Sequence, residues 1–357
     1  MNTTPLLKNV WYFGLPSSAV ALSRMKSVTI CGEPLVFFRR QDGTVAAVRN
    51  LCPHRGIPLN YGRMVGDEIE CPYHGWRFNG QGVCTAIPSL VEGQDLDPGK
   101  IRVQSYPVAE GQGMIWVFIG EKGTAKSVPS APPQRPEQAP PIPPMPYFAK
   151  DKGPDLLDVV EFPCHIDHAV IGLMDPAHGP YIHKSWFWRN ERSVYEKAKK
   201  FAPVPYGFQM VRHQPSKNSF AYRIFGSAPT TEITFTLPSV RVEHVQVGAK
   251  NFVSFTALTP IEERRTRVTQ MVFWDMPWLL AVKPLIRQFM KVFLNQDLQA
   301  VAKQQDGLKF DPNLMLIRDA DTQAKWYYGL KDAWFKSEQG RESFINPVKE
   351  TTLRWRT

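Results

Sequence analysis

Four residues in two short loops have the types and spacing of metal ligands. Residues 52–56 read CPHRG and residues 71–76 read CPYHGW, so Cys52-x-His54 is followed, after sixteen residues, by Cys71-x2-His74. Each pair lies in a proline-containing loop that ends on a glycine, Gly56 or Gly75. Two such loops at the tip of a β domain can bring four soft or borderline donors to one place. Two Cys and two His also suit tetrahedral zinc, although a zinc finger places both cysteines before both histidines.

A second constellation lies in residues 173–183, LMDPAHGPYIH, as Asp175-x2-His178-x4-His183. Two neutral imidazoles and one carboxylate on one face of an iron leave coordination positions free for dioxygen. The natural source of a further acid is a late helix. There Ile286, Met290, Phe293, Asp297 and Val301 recur at spacings of three and four, which puts Asp297 on the apolar stripe. An ionised carboxylate in that position is costly unless it is paired or bound to a metal. A slightly rotated helix would instead let Asp297 reach water or a lysine.

The elements that must hold these residues divide the chain. From about 28 to 120, short β-branched or aromatic runs such as PLVFF and MIWVFI alternate with turn residues, predicting a small all-β domain over 1–128. Residues 129–146 hold nine prolines in eighteen positions and predict an extended, stiff connector. Over 147–357 a helical stretch near 165–178 precedes strands near 204–212, 219–225, 231–237, 241–247, 251–259 and 267–274. A long helix over roughly 284–305 follows. The expected class is α+β, one antiparallel sheet wrapping a helix.

Composition narrows the setting. The net charge of +10 suits an anionic partner, but the basic residues are scattered and no nucleic-acid motif accompanies them, so no nucleic-acid partner is expected. Five cysteines, an odd number, do not suggest a disulfide framework; with no signal-peptide pattern at the start, the expected location is the cytoplasm. Cys31, Cys84 and Cys164 read as core or loop thiols, and His165 and His168 as buried structural histidines or as lining of a pocket. Arg55, Arg63 and Arg77 are either solvated loop charges or a docking patch for an acidic redox partner. Trp186, Phe187, Trp188, Phe289 and Phe293 favour an apolar, ring-containing substrate. The stretch WLLAVKPLIRQFMKVF could face a membrane peripherally or form a lid.

The C-x-H…C-x2-H pattern of CPHRG and CPYHGW resembles the Rieske [2Fe–2S] signature. With LMDPAHGPYIH and a late aspartate, the whole chain resembles a Rieske non-haem iron oxygenase of the single-component, dicamba/vanillate demethylase-like kind. That resemblance implies a Rieske domain followed by a Bet v 1-like helix-grip catalytic domain, assembled as a homotrimer. It implies Cys52 and Cys71 on one cluster iron, His54 and His74 on the other, and His178, His183 and Asp297 on a mononuclear Fe(II). Asp175 would then bridge His178 to His74 of a neighbouring subunit as an electron route. A ferredoxin or flavin reductase would supply electrons from NAD(P)H, for hydroxylation or oxidative demethylation of an aromatic, steroid or terpenoid compound. Cis-dihydroxylation and a purely electron-carrying Rieske protein are the alternatives. Relatives often carry asparagine where this chain has Gly172.

Overall fold

Strands in the first half of the chain form where β-branched and aromatic runs meet turn residues that let the chain reverse. The computed structural model describes residues 4–120, 140–143, 145, 147–183, 192, 194–216, 222, 228–340 and 343–357. Most of the expected proline-rich connector, the run 186–188 and most of the strand expected at 219–225 lie outside those residues. The chain separates into two compact units, Lys8–Gly153, and Pro154–Thr357 with Met1–Leu7.

The first unit is all β. Its strands are β1 (Val10–Pro16), β2 (Met25–Ile30), β3 (Glu33–Arg39), β4 (Val45–Arg49), β5 (Arg63–Val65), β6 (Glu68–Glu70), β7 (Arg77–Phe78), β8 (Cys84–Ala86), β9 (Ser105–Tyr106), β10 (Val108–Gly111) and β11 (Met114–Ile119). They make three antiparallel sheets, ordered β1-β11-β10, β2-β3-β4-β9 and β5-β6-β7-β8. Val36, Phe38, Val48, Leu59, Ile69 and Phe78 form a core beneath the two ligand-type loops, and Cys52 and Cys71 are part of it.

The second unit carries one antiparallel sheet of eight strands: β12 (Leu156–Phe162), β13 (Glu196–Val204), β14 (Gly207–His213), β15 (Thr230–Thr236), β16 (Val240–Val247), β17 (Lys250–Glu262), β18 (Arg265–Trp274) and β19 (Thr351–Arg356). Their order is β12-β18-β17-β16-β15-β14-β13-β19. Four helices accompany it, α1 (Ile166–Met174), α2 (Gly179–Ile182), α3 (Leu279–Leu308) and α4 (Thr322–Glu338). The start of α3 is seated by Met276, Leu279 and Met290 against Leu156, Val272 and Trp274. The mixed α+β class is as expected. Among the described residues no helix is long and apolar enough to cross a membrane.

Three local differences from the sequence reading matter. The helix expected over 165–178 stops at Met174, because Pro176 lacks an amide hydrogen and disfavours helical geometry at Asp175, whose ψ is 119°. The strand expected over 204–212 is two strands, parted by a turn in which Tyr206 has φ 57°. Helix α3 is longer than expected, and α4, β12, β13 and β19 were not foreseen.

A buried polar knot ties α1 to α4. The Asp167 carboxylate, fully buried, accepts from Lys331 Nζ at 2.7 Å and from the Tyr327 hydroxyl at 2.7 Å. Thr4 donates to its other oxygen from both the amide and the hydroxyl, at 2.8 and 2.9 Å. Burial works against that charge, yet His165, Lys331 and the Thr4 amide outweigh it and hold the carboxyl well below its usual range.

Candidate metal centres

The two cysteine loops share one backbone design. Cys52 N–H donates to Ile57 O at 2.9 Å and Gly56 N–H to Cys52 O at 2.8 Å; Cys71 N–H donates to Trp76 O at 2.8 Å and Gly75 N–H to Cys71 O at 3.1 Å. Both glycines have positive φ, 72° and 70°, which lets each loop close within five residues. This folding buries both sulfurs and turns both histidines outward. The His54 and His74 ring centroids are 4.5 Å apart. Trp76 stacks on His54 at 4.7 Å and Tyr73 on His74 at 4.0 Å, fixing both ring planes.

The donor chemistry divides into a thiol pair and an imidazole pair. Burial, aided by the neighbouring Cys71, pushes the Cys52 thiol up to about 11, so a bound metal is what would make that sulfur a thiolate. Desolvation, with His74 and Arg55 nearby, pushes the His54 pKa down and keeps its imidazole neutral. Among the described residues, His178, His183 and Asp297 are the group of three whose ligand atoms converge within 4.8 Å, and no three of these four do so. Two separate donor pairs fit a binuclear cluster better than one tetrahedral zinc. Arg63 and Arg77 both bind Glu70, at 2.7 and 3.0 Å, so of the three arginines only Arg55 projects freely beside a loop histidine.

The second constellation forms where α1 breaks. His178 is the N-cap and His183 the C-cap of the single-turn helix α2, which turns both rings to one side. Their Nε2 atoms are 3.1 Å apart. Asp297 Oδ1, from α3, is 3.1 Å from His183 Nε2 and 3.8 Å from His178 Nε2. Two ligands at right angles on a metal about 2.1 Å away would be about 3 Å apart, so this set fits a mononuclear site on one face. Asp297 therefore turns inward to both histidines, as the apolar stripe of its helix predicts.

Surrounding groups orient the ligand-type rings. Gln296 Oε1 lies 3.1 Å from His183 Nδ1, and Phe293 stacks on the His183 ring at 3.4 Å. Gln296 was missed in the sequence; its adjacency to Asp297 on one helix was the only signal. Asp175 caps α1, accepts from Ala177 N–H at 2.7 Å, and holds Oδ2 3.6 Å from His178 Nδ1. That last distance is too long for a hydrogen bond, and His178 Nδ1 is buried with no hydrogen-bond partner among the described residues. Burial disfavours a charged His178, but Asp175 and Asp297 outweigh it and raise its pKa. His165 caps α1 and pairs with Asp167, a structural role. A cavity of about 270 Å³ adjoins this site, lined by Asp175, His178 and Asp297 at one side and by Phe162, His168, Leu258, Leu294 and Val301 elsewhere.

Comparison with known proteins finds two domain matches and a shared fold. Residues 10–107 match the Rieske [2Fe-2S] domain, and residues 163–325 match the vanillate O-demethylase oxygenase C-terminal domain. The chain thus pairs a Rieske domain with an oxygenase C-terminal domain of the vanillate O-demethylase kind. It is 27% identical over 333 residues to the 4beta-methylsterol monooxygenase of Methylococcus capsulatus, covering 88% of this chain and 84% of that one. It is 32% identical over 185 residues to the chlorophyllide a oxygenase of Chlamydomonas reinhardtii, covering 51% of this chain and 25% of that one. The chain spans between a quarter and about half of the length of the chlorophyllide a oxygenases it matches. Its fold matches that of dicamba monooxygenase bound to dicamba, with a TM-score of 0.73 at 20% identity over 95% of this chain and all of the other. The cofactors are accordingly a [2Fe–2S] cluster and a mononuclear non-haem iron, which the two donor sets suit.

Proposed function

We propose that this chain is the oxygenase component of a system that hydroxylates or oxidatively demethylates an apolar, ring-containing compound. The observation that carries this reading is the convergence of His178, His183 and Asp297 within 4.8 Å beside a largely apolar cavity, in a chain that also has the Rieske donor set. Cys52, Cys71, His54 and His74 would hold the cluster, and His178, His183 and Asp297 the iron. When bound, the two groups supply single-electron delivery and open coordination positions at which dioxygen is activated. Residues of the chain do the rest. Gln296 and Phe293 hold the His183 ring in plane, the one-turn helix α2 sets the angle between the two imidazoles, and the apolar walls exclude water while placing the substrate. Residues 1–128 would form the cluster-bearing domain, 129–146 the connector and 147–357 the catalytic domain.

Asp175 is assigned the bridge. Its partly exposed carboxylate stands beside a His178 Nδ1 without a hydrogen-bond partner, and a neighbouring copy presenting His74 would complete the link. The assembly is then a homotrimer in the cytoplasm, fed by a ferredoxin or flavin reductase that draws on NAD(P)H. The outward face of α3, with Leu280, Leu285 and Val292 exposed beside Lys283, Arg287 and Lys291, suits peripheral contact with an anionic membrane.

Iron and acid-labile sulfide analysis of protein purified without air tests the reading. The expected result is about three irons and two sulfides per chain. His178→Ala should lose one iron and all substrate-dependent oxygen uptake while keeping the cluster's EPR signal. Two irons per wild-type chain would instead indicate an electron carrier.

A further inference from the structure

His168 has no part in the metal centres, yet it lines the cavity. It stands on α1, two turns ahead of Asp175, and is 9% exposed. Its ring makes no hydrogen bond with the described residues. Its ring nitrogens are not among the buried polar atoms left without a partner, so they are open to whatever fills the cavity, water or a ligand, and that filling supplies their hydrogen bonds. Burial lowers its pKa, against the pull of Asp167, so the ring is neutral and offers one donor and one acceptor.

The charges around it point to the kind of ligand. The described lining includes three carboxylates, Asp175, Asp297 and Asp321, and no lysine or arginine. A dication held at the iron site offsets two of those charges and leaves the wall net negative. An anionic substrate would give up its hydration without finding a cationic partner among the described lining residues. Phe162, Leu258, Val268 and Leu294 supply apolar surface.

We infer that the cavity selects an uncharged ring compound bearing one hydrogen-bonding substituent, and that His168 binds that substituent. The inference rests on the proposed oxygenase reading. It excludes aromatic carboxylates and sulfonates as preferred substrates and favours alcohols, phenols and ketones.

Calorimetry on the iron-loaded protein with naphthalene, 2-naphthol and 2-naphthoate tests it. These probes share one ring system and differ in the substituent. In the wild type, 2-naphthol should bind about fivefold more tightly than naphthalene, the scale of one hydrogen bond. It should bind at least about tenfold more tightly than 2-naphthoate, the scale of an unpaired charge. His168→Phe should erase the advantage of naphthol over naphthalene, and His168→Gln should restore part of it, with iron content and cluster spectrum unchanged in both. Binding of 2-naphthoate as tight as that of 2-naphthol overturns the inference and leaves the oxygenase reading standing. So does a naphthol advantage that survives His168→Phe. If neither naphthalene nor 2-naphthol binds, the ring-accepting cavity fails and the inference fails with it.

Discussion

At the scale of single residues, the chemistry turns on side chains that do not themselves touch a metal. Gln296 has one task visible in the structure, holding His183 through its Nδ1 at 3.1 Å. Gln296→Leu should therefore lower iron affinity about tenfold, measured by chelator competition, with the cluster spectrum intact. Asp175→Asn should leave both metal sites loaded and reduce coupled turnover by about 10–100-fold, read as product formed per NAD(P)H consumed. Near-normal coupling in that variant would remove the bridge from the mechanism. The ligand-type residues were legible in the sequence because loops of five or six residues carry four of them and one short stretch carries two more. Asp297 was legible only as an anomaly, an acid on an apolar stripe. Gln296, Tyr73 and Trp76 were not, since whether a neighbour touches a ligand depends on rotamers and packing rather than spacing.

Among the elements, α1 carries the proposed bridge acid at one end and the Asp167 knot at the other. Lys331 Nζ lies 2.7 Å from Asp167 Oδ1 with both side chains buried. Asp167→Asn should destabilise the second unit by about 3–5 kcal/mol, because it strands a buried ammonium. An Asp167→Leu/Lys331→Met double variant should recover much of that loss in denaturant unfolding. The pH dependence has a definite sign. The folded-state pKa of Asp167 is depressed, so its contribution is present above the unfolded value of about 3.9 and is lost as pH falls below it. Acid unfolding of the wild type should thus begin near that value and be blunted in the double variant. Gly172→Ala offers a change of opposite sign, about 0.5–1 kcal/mol of added stability from helix propensity, since the new methyl meets only open space. The sequence could not reveal this knot. Asp167 and Lys331 are 164 residues apart, and α4 has mixed polarity that masks its buried face. Of the strands missed, β12 and β13 mix charged and apolar residues too irregularly to stand out from loops and β19 alternates over only four residues, whereas β17 and β18 carry apolar runs and were found close to their true bounds.

For the whole molecule, the proposed trimer makes a prediction that no single variant can. A chain with His74→Ala lacks a working cluster and one with Asp297→Ala lacks the iron. Each should be inactive alone, and mixed trimers made by co-expression should regain activity well above the sum of the two. Activity no greater than that sum would confine electron transfer to one chain. The class and the order of the units follow from the sequence, because ligand motifs and strand patterns are local. The cavity and its charge do not, for they are assembled from β12, α1, β17, β18 and α3 together.

Helix α3 supplies Asp297 and, within two turns of it, the cavity residues Leu294, Ala300, Val301 and Gln304. The proposed ligand and the cavity-lining residues thus share one helix while occupying different positions on it. Mutational drift at the four cavity positions can reshape the accepted compound without displacing the carboxylate. Retuning the accepted compound is thus separable from the metal chemistry, and directed evolution of this chain would do best to begin on α3.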